Sequence, residues 1–300
     1  CAGLTPVPYW AMSGLEGGLY TSLTIWLCIA LLHEADDPRR APLSAVVAAA
    51  LALCRPDGVL FVGVAIFVRL VTIGRTRLLL HLLIATLPVL VHHVARHAYY
   101  GYWFPNTFYV KAPAPTLLVD RFLRGSKGWV YIEKVVEQYK LVAPLGLALL
   151  APFASSSARR RLGPILSIGA VGFFTIYAQG DWMSEGRFLV AALPLVAVLA
   201  VDAVEQLARR QRRAWFGALV GTAIAGLILA AMVPAMWRST KSRRNNYPVP
   251  VQSVATRARA VVELKRDLEL ADVSFLDGDL GGTSYYAGKG KDGVKMVDLG

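Results

Sequence analysis

Apolar residues run along this chain in long blocks separated by short polar breaks, over roughly 15–33, 42–54, 58–70, 78–95, 139–154, 162–178, 187–207 and 214–236. Several blocks reach the ~20 residues a helix needs to cross a ~30 Å hydrocarbon core. The second and third are only about 13 residues each, with the break RPDG (55–58) between them. Neither crosses alone, so the pair predicts a helical hairpin buried among other helices. Composition agrees with this pattern. The chain is 55% hydrophobic and 17% charged, whereas soluble domains average about 45–50% apolar and about 25% charged. The expected fold class is therefore an all-α polytopic membrane protein with about eight spans.

The net charge of +12 would suit a nucleic-acid partner, but its distribution argues against one. Arg39 and Arg40, then Arg69, Arg75 and Arg77, then Arg159, Arg160 and Arg161, then Arg209, Arg210, Arg212 and Arg213 fall in every second loop. These are 12 of the 32 basic residues, and loops rich in arginine stay cytoplasmic. The positive charge is thus a topology signal, and nucleic acid is excluded as a partner. The remaining loops then face outward: SGLEGG (13–18), RPDG (55–58), the long 96–138 loop and QGDWMSEGR (179–187). The tail 238–300 lies outside with them. It carries 11 basic and 8 acidic residues and predicts a small soluble α/β appendix, with a helix over 261–270 and strands over 273–279 and 294–300. The polar stretch 239–250 predicts a linker, dividing the chain into a membrane domain, 1–237, and a C-terminal domain, 238–300.

Cys1, Cys28 and Cys54 have no metal-ligand spacing and read as small apolar residues, not as a disulfide framework. His92, His93 and His97 read as ordinary interfacial residues near a helix end. No Walker-type, dinucleotide or Ser-His-Asp pattern occurs.

Four outward motifs stand in a telling order: YWAMSGLEGGLY (9–20), CRPDGVLF (54–61), RHAYYGYWFPNTFYVK (96–111) and GDWMSEGRFLVAALP (180–194). In that order they resemble bacterial multispanning glycosyltransferases of the GT-C class, and among them the mycobacterial terminal arabinofuranosyltransferase group. DGDLGGTSYY (277–286) and VDLG (297–300) resemble the periplasmic end of the same family. The resemblance implies a polyprenyl-phosphate sugar donor, a periplasmic acceptor and a catalytic carboxylate in the first outer loop. Family members carry there an acidic motif of the type Asp-Asp-Ala-Phe, which nothing in this sequence matches. Asp36 and Asp37 fall in a cytoplasmic loop. The main catalytic carboxylate is accordingly expected upstream of Cys1.

Transfer from a lipid phosphate needs a carboxylate to take the acceptor proton, donors to hold the phosphate, and aromatics to stack on the sugar. Glu16, Asp181 and Glu185 are the candidate carboxylates. Tyr100, Asn106, Thr107, Lys111, Arg187 and Arg55 are the candidate substrate-binding residues. Each has a plainer reading beside it. An interfacial aromatic belt with Pro105 and Pro113 as helix stops explains the rings of 98–115, but not Asn106, Thr107 and Lys111. Asp181 and Glu185, four apart, can share a helical face and bind a metal, an acceptor or a phosphate; the plain alternative is a polar turn neutralised by Arg187. Arg55 and Asp57 read first as a local ion pair closing the hairpin. No protein metal site is assigned, although a divalent metal suits such carboxylates.

The reading is therefore a glycosyltransferase of the bacterial inner membrane, multi-pass, with its C-terminal domain extracytoplasmic. It moves a sugar from a polyprenyl-phosphate donor to an envelope glycan or lipid acceptor. A transporter or flippase of lipid-linked sugars, or a non-catalytic envelope-assembly protein, is the alternative.

Overall fold

The computed structural model of the chain describes residues 5–12, 16–37, 40–72, 75, 77–103, 118–123, 125–154, 158–181, 183, 185–211, 213–245, 251–270, 273–277 and 294–298. It is mostly helical. The short α1 (Pro6–Ala11) leads into α2 (Gly17–Asp36), followed by α3 (Leu43–Cys54), α4 (Val59–Thr72) and α5 (Leu78–Tyr100). Next come α6 (Leu118–Phe122), α7 (Lys127–Gln138), α8 (Val142–Ala154) and α9 (Ala158–Tyr177). The last are α10 (Leu193–Arg209), α11 (Ala214–Asn245) and α12 (Val251–Asp267).

Local chemistry sets these boundaries. Pro6 occupies the first turn of α1, where its missing N–H leaves nothing unpaired. Arg55, preceding Pro56, is extended at φ −145° and ψ 145°, as the residue before a proline prefers, and α3 stops there. A single 3₁₀ turn over Pro56–Gly58 reverses the chain into α4. The reversal depends on glycine: a Cβ on Gly58 would stand 2.0 Å from the Leu51 carbonyl oxygen. The hairpin expected from the two short apolar blocks is present as α3 and α4.

The core lies where α2, α3 and α4 meet. Leu27, Ala45, Ala48, Leu51, Phe61 and Ala65 are buried in one cluster, and the alanines of α3 let the backbones approach closely. A second cluster joins α8 to α10 through Ala148, Ala151, Val196, Leu199 and Ala203.

Among the described residues, three helices are long and apolar enough to cross a membrane: Gly17–Asp36, Leu78–Tyr100 and the Trp215–Ser242 part of α11. They carry large exposed apolar side chains such as Leu79, Leu227 and Trp237, the surface a lipid environment requires. About eight spans were expected, and that number needs correction. α3, α4 and α8 have 12, 14 and 13 residues, or roughly 18–21 Å at 1.5 Å per residue, short of a ~30 Å core.

The chain from Lys241 onward clusters apart from the bundle. It contains α12 and a parallel pair of strands, β1 (Val273–Asp277) and β2 (Val294–Asp298), with Val273 opposite Val294 and Phe275 opposite Met296. The two strands fall within the expected stretches. The helix begins earlier than expected, at Val251, and α11 runs on to Asn245 through much of the expected linker. One helix and one strand pair fall short of the α/β domain anticipated for the tail.

Candidate functional site

Three of the motif segments meet at one end of the bundle, and each arrives there by a helix boundary. Glu16 immediately precedes α2, Arg55 and Asp57 sit at the tip of the α3–α4 hairpin, and residues 180–188 link α9 to α10. Arg55 is the hub. Its Nη1 donates to Glu16 Oε1 at 2.8 Å and its Nε to Asp57 Oδ1 at 2.8 Å, while Tyr20 OH donates to Asp57 Oδ2 at 3.1 Å. The Arg55 guanidinium lies 5.1 Å from the Tyr20 ring centroid and 5.6 Å from that of Phe188. Burial lowers its proton affinity, but Asp57, Tyr20 and Glu16 outweigh that cost, and its pKa is raised. The group is a fixed cation.

Arg187 approaches Phe188 as well, 5.3 Å from its centroid and 5.8 Å from that of Trp10. Phe188 thus touches both guanidiniums, a cation–π arrangement that orients arginine planes. Arg187 Nε stands 2.7 Å from Asp181 Oδ2. Neither Asp181 oxygen makes a hydrogen bond among the described residues, and both are buried, so this contact is an ion pair without hydrogen-bond alignment.

The 179–188 segment is held in unusual backbone geometry. Gln179, Gly180, Glu185 and Gly186 all have positive φ. For Glu185, at φ 62° and only 3% exposed, that conformation is strained. Neighbours hold it in place: Ser239 Oγ donates to Glu185 Oε2 at 3.0 Å, and Trp10 Nε1 donates to its carbonyl at 3.3 Å. The amphipathic α7 presses from the side. A Cβ on Gly186 would stand 3.0 Å from the Val135 methyls, and one on Gly180 would stand 2.9 Å from Tyr131.

The structure therefore brings together Glu16, Arg55, Asp181, Glu185 and Arg187. It corrects one detail, since neither Asp181 nor Glu185 lies in a helix, so they do not share a helical face. Arg55 and Asp57 form the expected local pair, and Arg55 also reaches Glu16. Tyr100 does not join the group: it is exposed at the end of α5, against Tyr99 and Arg96 of its own helix. His97 stacks on Trp103 at 4.0 Å. Asn106, Thr107 and Lys111 lie outside the described residues. Sequence reasoning missed Trp10, Tyr20, Phe188 and Ser239, each of which looks like an ordinary helix or interface residue. The one legible clue was the alternation of YW and GLY around Glu16.

The opposite end holds a different arrangement. Glu34, near the C-terminal end of α2, accepts from Ser44 N at 2.7 Å, Ser44 Oγ at 2.9 Å and Arg69 Nη1 at 2.6 Å. The Glu34 and Arg69 side chains are 2% and 0% exposed. Arg69 is thus no loop arginine, as its place in the charge pattern had suggested, but the buried partner of Glu34 in the last turns of α4. Arg160 pairs with Asp36, and Arg161 with Asp202. The arginine-rich loops and the motif loops accordingly occupy opposite ends of the bundle.

Among the described residues no three His, Cys, Asp or Glu side chains come together as metal ligands, so no chemistry is assigned to a metal. Compared with protein-family models, with curated proteins and with solved structures, the chain matches none.

Proposed function

We propose that the motif end is the reaction site of a membrane glycosyltransferase that takes a sugar from a polyprenyl-phosphate donor and passes it to an envelope glycan or lipid. One observation carries this reading: Arg55 and Arg187 flank Phe188 amid Glu16, Asp57, Asp181 and Glu185, at the end of a bundle with helices long enough to span a membrane. Cations, an aromatic face and carboxylates are what such a transfer needs.

Four carboxylates against two guanidiniums leave the group acidic, which suits proton abstraction better than simple addition of a phosphate. The phosphate is gripped by exchange. Glu16 is 37% exposed in its pair with the 12%-exposed Arg55, so Glu16 can turn to water while Asp57 stays on Arg55. The donor phosphate replaces Glu16 on Arg55, and the freed Glu16 carboxylate takes the proton of the acceptor hydroxyl. Asp181, fully buried against Arg187, orients that arginine. Phe188, only half-buried beside the two guanidiniums, is the ring within reach of the sugar. The arginine-rich end is assigned to the cytoplasm by its charge, which puts the site on the extracytoplasmic side.

The test is transfer from a radiolabelled polyprenyl-phosphate sugar in membranes carrying the full protein. Glu16→Gln and Asp181→Asn are expected to lower turnover by about 10- to 100-fold, the effect of losing one charged contact in a transition state, with unchanged membrane insertion. Wild-type transfer by both variants overturns the assignment. A translocator of lipid-linked sugars is the second reading, favoured by the Glu34–Arg69 pair sealed among the helices, because buried ionisable groups often mark pathways in transporters. Movement of a fluorescent lipid-linked sugar across proteoliposomes without any acceptor would favour it.

A further inference from the structure

The last turns of α11 are basic, at the motif end of the bundle. From Ala214 to Met236 the helix carries no charged residue, and then WRSTKSRRN (237–245) holds four basic residues and no acidic one. Ser239 Oγ donates to Glu185 at 3.0 Å, and the Thr240 hydroxyl lies 3.0 Å from that of Thr5, so this part of the helix is fixed beside the site above. Its depth in a membrane follows from two tryptophans. Trp215 and Trp237 are 63% and 71% exposed and stand 22 residues apart on one helix, or about 33 Å at 1.5 Å per residue. That spacing matches a ~30 Å hydrocarbon core with an indole ring at each face. Arg238 and Lys241, one turn apart within the same span, therefore sit at headgroup level. Both are exposed and form no ion pair among the described residues.

Topology does not account for these charges. Arg209, Arg210, Arg212 and Arg213 flank the other end of the same span and already mark the side that retains arginine. A second basic cluster at the opposite end works against that signal. We propose that Arg238 and Lys241 bind the phosphate of an anionic phospholipid in the leaflet at the motif end. The surface is open and needs no cavity: Leu229, Val233, Trp237 and Lys241 recur every fourth residue and are all exposed, so an acyl chain lies along the apolar part of the stripe with its phosphate on the basic part. Charge complementarity selects the partner. Two cations on turns without a carboxylate hold a phosphodiester that lacks a compensating ammonium in preference to a zwitterion. Glu185, which Ser239 reaches, is only 3% exposed and does not compete. The binding needs no sugar transfer, so either assignment can fail alone.

Trp237 itself reports the lipid beside it. The full chain is reconstituted in phosphatidylcholine bilayers with rising fractions of bromine-labelled phosphatidylglycerol or bromine-labelled phosphatidylcholine, and Trp237 emission is taken as the difference between wild type and Trp237→Phe. Phosphatidylglycerol is expected to quench as a lipid bound about fivefold more strongly than phosphatidylcholine, the effect of roughly one basic side chain at a headgroup. The Arg238→Gln/Lys241→Gln variant should be quenched alike by the two lipids. The exchange Arg238→Lys/Lys241→Arg keeps the charge and should keep the preference. Arg209→Gln/Arg213→Gln, at the far end of the span, should leave the preference at Trp237 intact. Equal quenching of the wild type by the two lipids overturns the proposal. So does a preference that survives Arg238→Gln/Lys241→Gln, or one that is lost in either of the other two double variants.

Discussion

The two ends of the helical bundle use the same ingredients, arginine and carboxylate, to opposite effect. At the arginine-rich end, Arg69 and Glu34 are sealed from water and Glu34 is saturated by Ser44 and Arg69. At the motif end, Arg55 donates to Glu16 and Asp57 and lies against two aromatic rings, but its partner Glu16 stays within reach of water. A sealed pair cannot trade partners, because removing either ion strands the other in a medium that solvates it poorly. An open pair can. The difference teaches that burial, not residue type, separates a clamp that holds helices together from a group able to receive a ligand.

The sharpest way to break the contrast is Arg69→Leu. It leaves Glu34 buried without its cation and should cost about 3–5 kcal/mol, seen as a large fall in the thermal midpoint of the purified protein. Adding Glu34→Gln to Arg69→Met should recover most of that loss, since the amide still accepts from Ser44. Full stability of the single variant would mean the pair is not sealed as described.

The next effect is conformational. Gly186→Ala puts a Cβ at φ 63° and 3.0 Å from Val135, which should destabilise the fold by about 1–2 kcal/mol. Gly163→Ala meets only the flexible tip of Leu31 and has ordinary backbone geometry, so its effect should stay below about 0.5 kcal/mol. Equal effects at the two glycines would remove the evidence that the 179–188 segment is held under strain.

Much of the contrast was legible in the sequence, and the limits of that reading have physical causes. The alternation of arginine-rich and motif-bearing loops sorted the two ends, because charge placement along a chain of apolar helices is a one-dimensional record of topology. RPDG announced the hairpin through its proline and glycine. The Glu34–Arg69 pair was hidden because Arg69 stands at the end of its apolar block, close to Arg75 and Arg77, where a buried arginine and a loop arginine look alike in sequence. The span count differs because apolar runs record burial in protein as readily as burial in lipid: the runs of α3 and α4 are too short to cross alone, yet they and the run of α8 count among the eight. Trp10 and Ser239 reach Glu185, and Phe188 reaches Arg55, through contacts across 50 residues or more, which no local pattern encodes.

Two smaller effects refine the picture. Arg55→Met should cost about 1–2 kcal/mol, well under the loss at Arg69, because Glu16 regains water and Asp57 keeps its bond from Tyr20. Arg209→Ala removes an exposed i,i+4 pair with Glu205 and should change stability by less than about 0.5 kcal/mol. Chemical denaturation of the two variants beside wild type measures both.

The most direct measurement compares sugar transfer by Arg55→Met and Arg187→Ala with that by the paired variant Glu34→Gln/Arg69→Met, all in membranes at matched protein levels. If the motif end exchanges its ion pairs with a donor phosphate, the first two should lose about 10- to 100-fold in turnover, while the paired variant stays within about twofold of wild type. Wild-type transfer by both Arg55→Met and Arg187→Ala, or an equal loss in the paired variant, would contradict the account.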